Sequence, residues 1–373
     1  MDPHGPIAKR FPLVARFRPA CLPLPARVRA LVELADRAAR QDEQGLASTV
    51  FNQAALLASD LGLPDLARSM CHRHADAYLR TCPLPAMSAI RGLEPLVNLA
   101  RLQIRAGQSD DGRQRLLDLY EAVGTSSPAV FEGITVPATL TVTAEERREV
   151  HAWLWRVVLA DGTRTLTTTG RWPEALAHIE QHRGVGTRML DGRQVAVVAA
   201  LTGGDRERAA ELLADTAPGD PWEQAVTACL TVLCRRDAGQ CLDDCAAELV
   251  NTYLSREAEP GLTVFDTRLG LTVLDAVGPQ HPGARRLVED LIRRTMESLD
   301  GYAARDVLSH PLFTTLATDS EAQECQDLIW SCGLGAGVLP DGLSGDLSSA
   351  LDRSEVVITR SSTAAATSDV PTG

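Results

Sequence analysis

A glycine that recurs at a fixed place is the feature that most constrains this chain. In several segments an apolar, helix-compatible stretch ends at a Gly. Five residues later comes a small residue, and four after that a large apolar one. Gly62 is followed by Ala67 and Cys71, Gly107 by Gly112 and Leu116, and Gly170 by Ala175 and Ile179. Gly204 is followed by Ala209 and Leu213, and Gly278 by Gly283 and Leu287; after Gly239 the small residue slips by one, to Cys245. The glycine lets the chain turn, the small residue lets two helices approach, and the large one fills the space between them. The steps from Gly170 to Gly204 and from Gly204 to Gly239 are 34 and 35 residues. A period near ~34 belongs to helix–turn–helix repeats. The expectation is an all-α chain, an α-solenoid of antiparallel helix pairs over residues 26–332.

Composition agrees. The chain has 373 residues, 45% of them hydrophobic but only 4% aromatic, and Ala, Leu and Val dominate the apolar set. Ala and Leu lose little side-chain freedom in a helix. The formal charge of −12 argues against a duplex-binding surface, so no direct nucleic-acid contact is expected. Lys9 is the only lysine, a bias that fits a GC-rich coding sequence better than a phosphate site. No window has the run of ~18 apolar residues that a membrane span needs, and the first residues lack the apolar core of a secretory leader. With nine scattered cysteines, the natural expectation is reduced thiols in the cytoplasm.

Along the chain, residues 1–25 are Pro-rich and expected to be extended or loosely packed. Helices are expected at 26–40, 43–59, 64–80, 84–105 and 109–123. The stretch 124–143 is Thr- and Val-rich with two prolines, and reads as a β-like insertion or a long loop. Such a loop either carries function or is a drifted connection between repeats. Thr143 and Glu146 form a capping-box pattern that restarts the helix. Further helices are expected at 144–167, 172–183, 188–202, 205–215, 221–235, 239–254, 262–276, 283–299, 302–316 and 319–331. The tail 333–373, rich in Gly, Ser, Thr and Ala, is expected to be disordered.

No phosphate-binding loop, metalloprotease motif, nucleophile elbow or complete dinucleotide fingerprint is present. Two clusters carry chemistry in principle. Cys71, His72 and His74 lie within one helical turn, as a nucleophile–base or metal pair would. The repeat register instead makes Cys71 and His74 packing residues. Cys229, Cys234, Cys241 and Cys245 span one helix pair, and a four-cysteine zinc site is conceivable there. Their spacing matches no zinc ribbon or finger, so no metal and no cofactor are expected. The missing linear motifs favour a binding role without settling whether the chain is an enzyme.

The segment TGRWPEALAHIEQH resembles the tetratricopeptide family. Gly170, Trp172, Ala175 and Ile179 stand where that family places Gly, an aromatic, Ala and a bulky residue, and Pro221 follows Ala209 by twelve. The steps from Gly62 to Gly107 and from Gly107 to Gly170, 45 and 63 residues, depart from the period. The resemblance implies a concave face lined by the first helix of each pair, where an extended peptide is held. Counting ten and six residues back from each Gly reaches Asn52 and Leu56, Val97 and Arg101, Ala160 and Arg164, Gln194 and Val198, and Arg268 and Thr272. Of these, Asn52, Arg101, Arg164, Gln194 and Arg268 are the candidate peptide-binding residues. Amides hydrogen-bond a backbone in both directions, and guanidinium forks match carboxylates.

The stretches RFRPACLPLPARVRALVELADRAAR, FNQAALLASDLGLPDLARSMCHRHADAYL and LEPLVNLARLQIRAG resemble a group of actinobacterial helical proteins. Some of that group accompany lanthipeptide clusters. That resemblance implies a role in presenting or cyclising a precursor peptide. Three functions therefore stand as expectations: a peptide- or protein-binding scaffold, a component of a peptide-modifying complex, and a peptide-sensing regulator without its own DNA-binding domain. The oligomeric state stays open.

Overall fold

A computed structural model describes residues 1–368. In chain order the elements begin with α1 (Pro6–Arg10), α2 (Leu24–Gln41), α3 (Gln44–Asp60), α4 (Pro64–Leu79), α5 (Ala86–Arg105) and α6 (Ser109–Thr125). A hairpin of β1 (Ala129–Phe131) and β2 (Ile134–Val136) follows, then α7 (Ala144–Val157), a π-helical turn (Val158–Gly162) and α8 (Thr163–Thr168). The chain continues through α9 (Trp172–Gln181), α10 (Asp191–Thr202), α11 (Arg206–Ala214), α12 (Pro221–Asp237) and α13 (Asp243–Leu254). The last are α14 (Thr263–Val277), α15 (Ala284–Ser298), α16 (Gly301–Leu308), α17 (Pro311–Leu316), α18 (Asp319–Ser331) and α19 (Asp341–Ser368). The fold class is all-α.

The glycine register is visible in the backbone. Gly62, Gly107, Gly170, Gly204, Gly239 and Gly278 all have positive φ, between 69° and 86°. A Cβ there is disfavoured, and each glycine stands at the end of a helix, where the chain must reverse. The small residue five later is the close-approach point. At Gly112 a Cβ would lie 2.6 Å from Ile104 Cγ1 and 2.8 Å from the Ala100 carbonyl oxygen, so α5 and α6 could not pack as they do. Ala67, Ala175 and Ala209 are fully buried, as are Cys71, Leu116, Ile179 and Leu287 at the large position. Leu213 is only half-buried, and its neighbour Leu212 fills the interior instead.

The chain divides into two compact units. One holds Leu24–Thr165 and the chain from Gly333 onward; the other holds Met1–Pro23 and Leu166–Cys332. In the first, each of α2 to α6 packs on the next helix, and α3 packs also on α5 and α5 on α7. The hairpin turns through Glu132 and Gly133, both at positive φ, the geometry of a two-residue hairpin turn. It falls in the first part of the stretch 124–143, whose Thr- and Val-rich composition suggested a β-like insertion. Its tip is held by Arg68 and Gln103, whose side chains reach the Glu132 carboxylate. Thr143 and Glu146 form the capping box that opens α7.

The expectation of a disordered tail from 333 is corrected. Residues 333–340 pair with the end of α3: the amides of Gly335 and Gly337 donate to the carbonyls of Asp60 and Leu61. Then α19 packs on α2, α3 and α4. Leu347, Ala350, Leu351, Ser354, Val357 and Ile358 are buried. Their spacing marks one face of a helix, a stripe that the surrounding Ser, Thr and Gly hide from a compositional reading. The end of the predicted tail, 369–373, lies outside the described residues.

In the second unit α9 to α16 again pack each on the next, while α10 packs on α12, α12 on α14, α14 on α16, and α13 on α15. The expected helix 302–316 is split at His310. Pro311 lacks an amide and disfavours helical geometry in the residue before it. His310 becomes the N-cap of α17, its Nδ1 accepting from the Phe313 amide. Residues 1–23 are not loosely packed: Ala8, Phe11, Leu13 and Cys21 are buried in this unit.

Candidate functional site

Each unit carries a polar arrangement on the layer formed by alternate helices. In the Leu24–Thr165 unit it runs from α3 across α5 to the π turn. Asn52 Nδ2 donates to Glu94 Oε2 at 2.6 Å, and Asn98 Nδ2 donates to Asn52 Oδ1 at 2.9 Å. Arg101 donates through Nη1 to Asn98 Oδ1 at 3.0 Å and through Nη2 to Asp161 Oδ2 at 2.8 Å. Burial pushes the Glu94 carboxyl up, against the hydrogen bond from Asn52 and the nearby charges of Arg91 and Arg101. The strip is half-buried, with Arg101 at its exposed end. Two of the residues picked out by the glycine register, Asn52 and Arg101, therefore meet through Asn98. That residue was missed because its neighbour Val97 held the register position; Val97 is buried and Asn98 takes its place. Asp161 was missed because a continuous helix was expected over 144–167. The π turn interrupts that helix and carries Asp161, the partner of Arg101. Arg164 lies half-buried just beyond, in α8.

In the other unit the arrangement is a groove filled by the chain's own residues 1–23. Gln194, in α10, is fully buried, which corrects its expected exposure. Its Oε1 accepts from the Leu13 amide at 2.6 Å, and its Nε2 donates to the Leu13 carbonyl at 2.7 Å. The same Nε2 donates to the Met189 carbonyl at 3.1 Å. Thr272, another register position, takes Arg10 Nη1 at 3.3 Å, and Asp275 one turn along α14 forms an ion pair with Arg10. Arg16 reaches Asp191 at 2.8 Å, and Arg18 lies 3.9 Å over the Tyr302 ring. Trp172 Nε1 donates to the Pro3 carbonyl at 3.2 Å. Cys21 closes the run: its amide donates to Asp300 at 3.1 Å, and its carbonyl accepts from the Gly301 amide at 2.8 Å. Arg268 forms an ion pair with Asp306, in α16, at 2.8 Å.

The two cysteine clusters differ in how far their members are buried. Cys71 is buried, and burial with the nearby Glu132 charge pushes its thiol up to about 12. A buried thiol held protonated is a poor nucleophile at neutral pH. His74 is buried against Phe51, ring centroids 5.0 Å apart, with Ser48 Oγ 2.9 Å from its Nε2. His72 is half-exposed and 3.9 Å from Glu132. Cys229 and Cys234 are buried, Cys241 is exposed and Cys245 half-buried. Burial pushes the Cys229 thiol up to about 12. Among the described residues no three His, Cys, Asp or Glu side chains are placed to hold a metal ion.

His74 gives a pH prediction. Burial lowers its pKa from 6.5 to about 3, so the folded chain keeps it neutral while the unfolded chain protonates it below about 6.5. The stability it secures is complete above that value and falls as pH drops toward the folded pKa. The slope is about 1.4 kcal/mol per pH unit. Urea unfolding between pH 7 and pH 4 should show His74→Leu less acid-sensitive than the parent chain by this slope.

Comparison with family models, with curated proteins and with solved structures finds no match to this chain. Among the described residues no helix is long and apolar enough to cross a membrane.

Proposed function

We propose that this chain is a peptide- or protein-binding scaffold built of tetratricopeptide-like antiparallel helix pairs. In each unit the first helices of the pairs present the recognition surface. The packing pattern supports the array: helices touch their neighbours in sequence and also the next but one, as stacked pairs do. The observation that carries the binding reading is the Gln194 amide, which grips the Leu13 backbone in both directions. That contact is indifferent to side-chain identity, and it sits where the glycine register places a groove residue. The Asn52–Asn98–Arg101 strip offers the same kinds of donor and acceptor on the other unit. The same scaffold would serve in a peptide-modifying complex or a peptide-sensing regulator, with the partner deciding between them.

The test is a selection of peptides from a random display library on the full chain, followed by calorimetry. Arg101 is half-exposed, so Arg101→Ala should leave melting nearly unchanged. A charge-assisted hydrogen bond is worth about 1.5–3 kcal/mol, so binding to the Leu24–Thr165 unit should fall about ten- to a hundredfold. Val130→Ala, on the exposed hairpin, should change neither. Selection of no peptide, or affinities indifferent to Arg101, would defeat the reading.

A further inference from the structure

We propose that the first-helix face of the Leu166–Cys332 unit is a receptor for an extended, arginine-bearing polypeptide segment, and that residues 3–22 of this chain occupy it in cis. The proposal rests on the peptide-binding reading above and names the ligand class and its built-in competitor.

Three features mark the segment as a bound ligand. Its backbone is held at intervals: Pro3 by Trp172, Leu13 by Gln194, Arg18 by the Gly261 carbonyl and Cys21 by Asp300 and Gly301. Apart from the five-residue α1 (Pro6–Arg10), the segment forms no helix or strand of its own, and residues 13–23 run without any. Second, the charges are complementary. The segment offers Arg10, Arg16 and Arg18, and the helices answer with Asp275, Asp191 and the Tyr302 ring. Guanidinium on carboxylate and guanidinium on an aromatic face both select arginine over neutral side chains. Third, the segment dips in and out. Phe11, Leu13 and Cys21 are buried, but Phe17 between them is 76% exposed. The segment is therefore held at points rather than along its whole length.

A tethered occupant competes at an effective concentration in the millimolar range. An incoming segment of the same chemistry therefore binds only when the cis segment is displaced, and the face is self-inhibited until then.

The experiment keeps the whole chain. A specific protease site is inserted between Pro23 and Leu24, and the protein is cleaved after folding. The probe is a fluorescent synthetic peptide of residues 3–22. The cleaved chain should exchange its segment for the probe, while the uncleaved chain binds it at least about a hundredfold more weakly. Asp275→Asn should weaken the probe about tenfold or more. Asp275 also holds His310, so Asp191→Asn, which removes the charge that Arg16 meets, provides a second and smaller reduction. A probe with Arg10, Arg16 and Arg18 replaced by Glu should not bind. The proposal is overturned if the uncleaved chain binds the probe equally well, or if the Glu-substituted probe binds as the native one does. It is also overturned if cleavage melts the helices by circular dichroism, or if the cut segment never exchanges; residues 3–22 would then be core. Each of these results leaves the Arg101-dependent binding of selected peptides standing. Loss of that binding alone would defeat the scaffold reading of the other unit without touching this exchange.

Discussion

Trp172→Ala should cost about 3–5 kcal/mol, the range for truncating a large buried aromatic. Trp172 is fully buried at the start of α9, where the resemblance to a helical repeat is strongest. Truncation opens a large cavity and also removes the indole N–H from the Pro3 carbonyl. Trp172→Phe separates the two effects. It keeps most of the volume, loses the hydrogen bond, and should cost roughly 1–2 kcal/mol more than the volume change alone. Urea unfolding of both variants, followed by circular dichroism, gives the comparison. An alanine variant as stable as the parent would mean that Trp172 is not the packing residue described.

Gln194→Ala should be nearly as damaging, which is unusual for a neutral polar residue. Three buried backbone groups lose their partner: the Leu13 amide, the Leu13 carbonyl and the Met189 carbonyl. Each unsatisfied buried group costs about 1–3 kcal/mol, so three sum to roughly 3–9 kcal/mol, and water entering the opened site should keep the loss near the lower end. Gln194→Glu should be worse than a simple loss of one bond. A carboxylate still accepts from the Leu13 amide, but it turns its second oxygen on two carbonyls. Amide hydrogen exchange at Leu13 reports the contact directly: protected in the parent chain, fast in Gln194→Ala, and still slowed in Gln194→Glu, which keeps an acceptor for that amide. Protection unchanged by the alanine substitution would show that Gln194 does not hold the segment.

The sequence exposed the turns best. Gly62, Gly107, Gly170, Gly204, Gly239 and Gly278 could be placed because a positive φ is a local demand that one residue type meets cheaply. Groove positions counted from those glycines were partly legible. Gln194 and Thr272 do contact Leu13 and Arg10, but nothing local to α10 or α14 announces a partner in residues 1–23, 181 residues away for Gln194. The Pro-rich start looked unstructured because proline is barred from helix interiors; a short helix opened by Pro6 and an extended run buried through Leu13 have the same composition. The tail failed for the opposite reason. Leu347, Leu351 and Ile358 do carry a helical stripe, hidden among Ser and Thr whose usual preference is for caps and turns. Asp161 was out of reach altogether, since a π turn inside a helix leaves no periodic signature.

The first-helix layer is proposed to hold another polypeptide. The most direct test is a photo-activated cross-linking residue at position 98, between Asn52 and Arg101, in cells that make the full chain. The account predicts a discrete polypeptide adduct from position 98, weakened by Arg101→Ala and absent when the same residue stands at position 130 on the exposed hairpin strand. No adduct from position 98, or the same adducts from both positions, would contradict it.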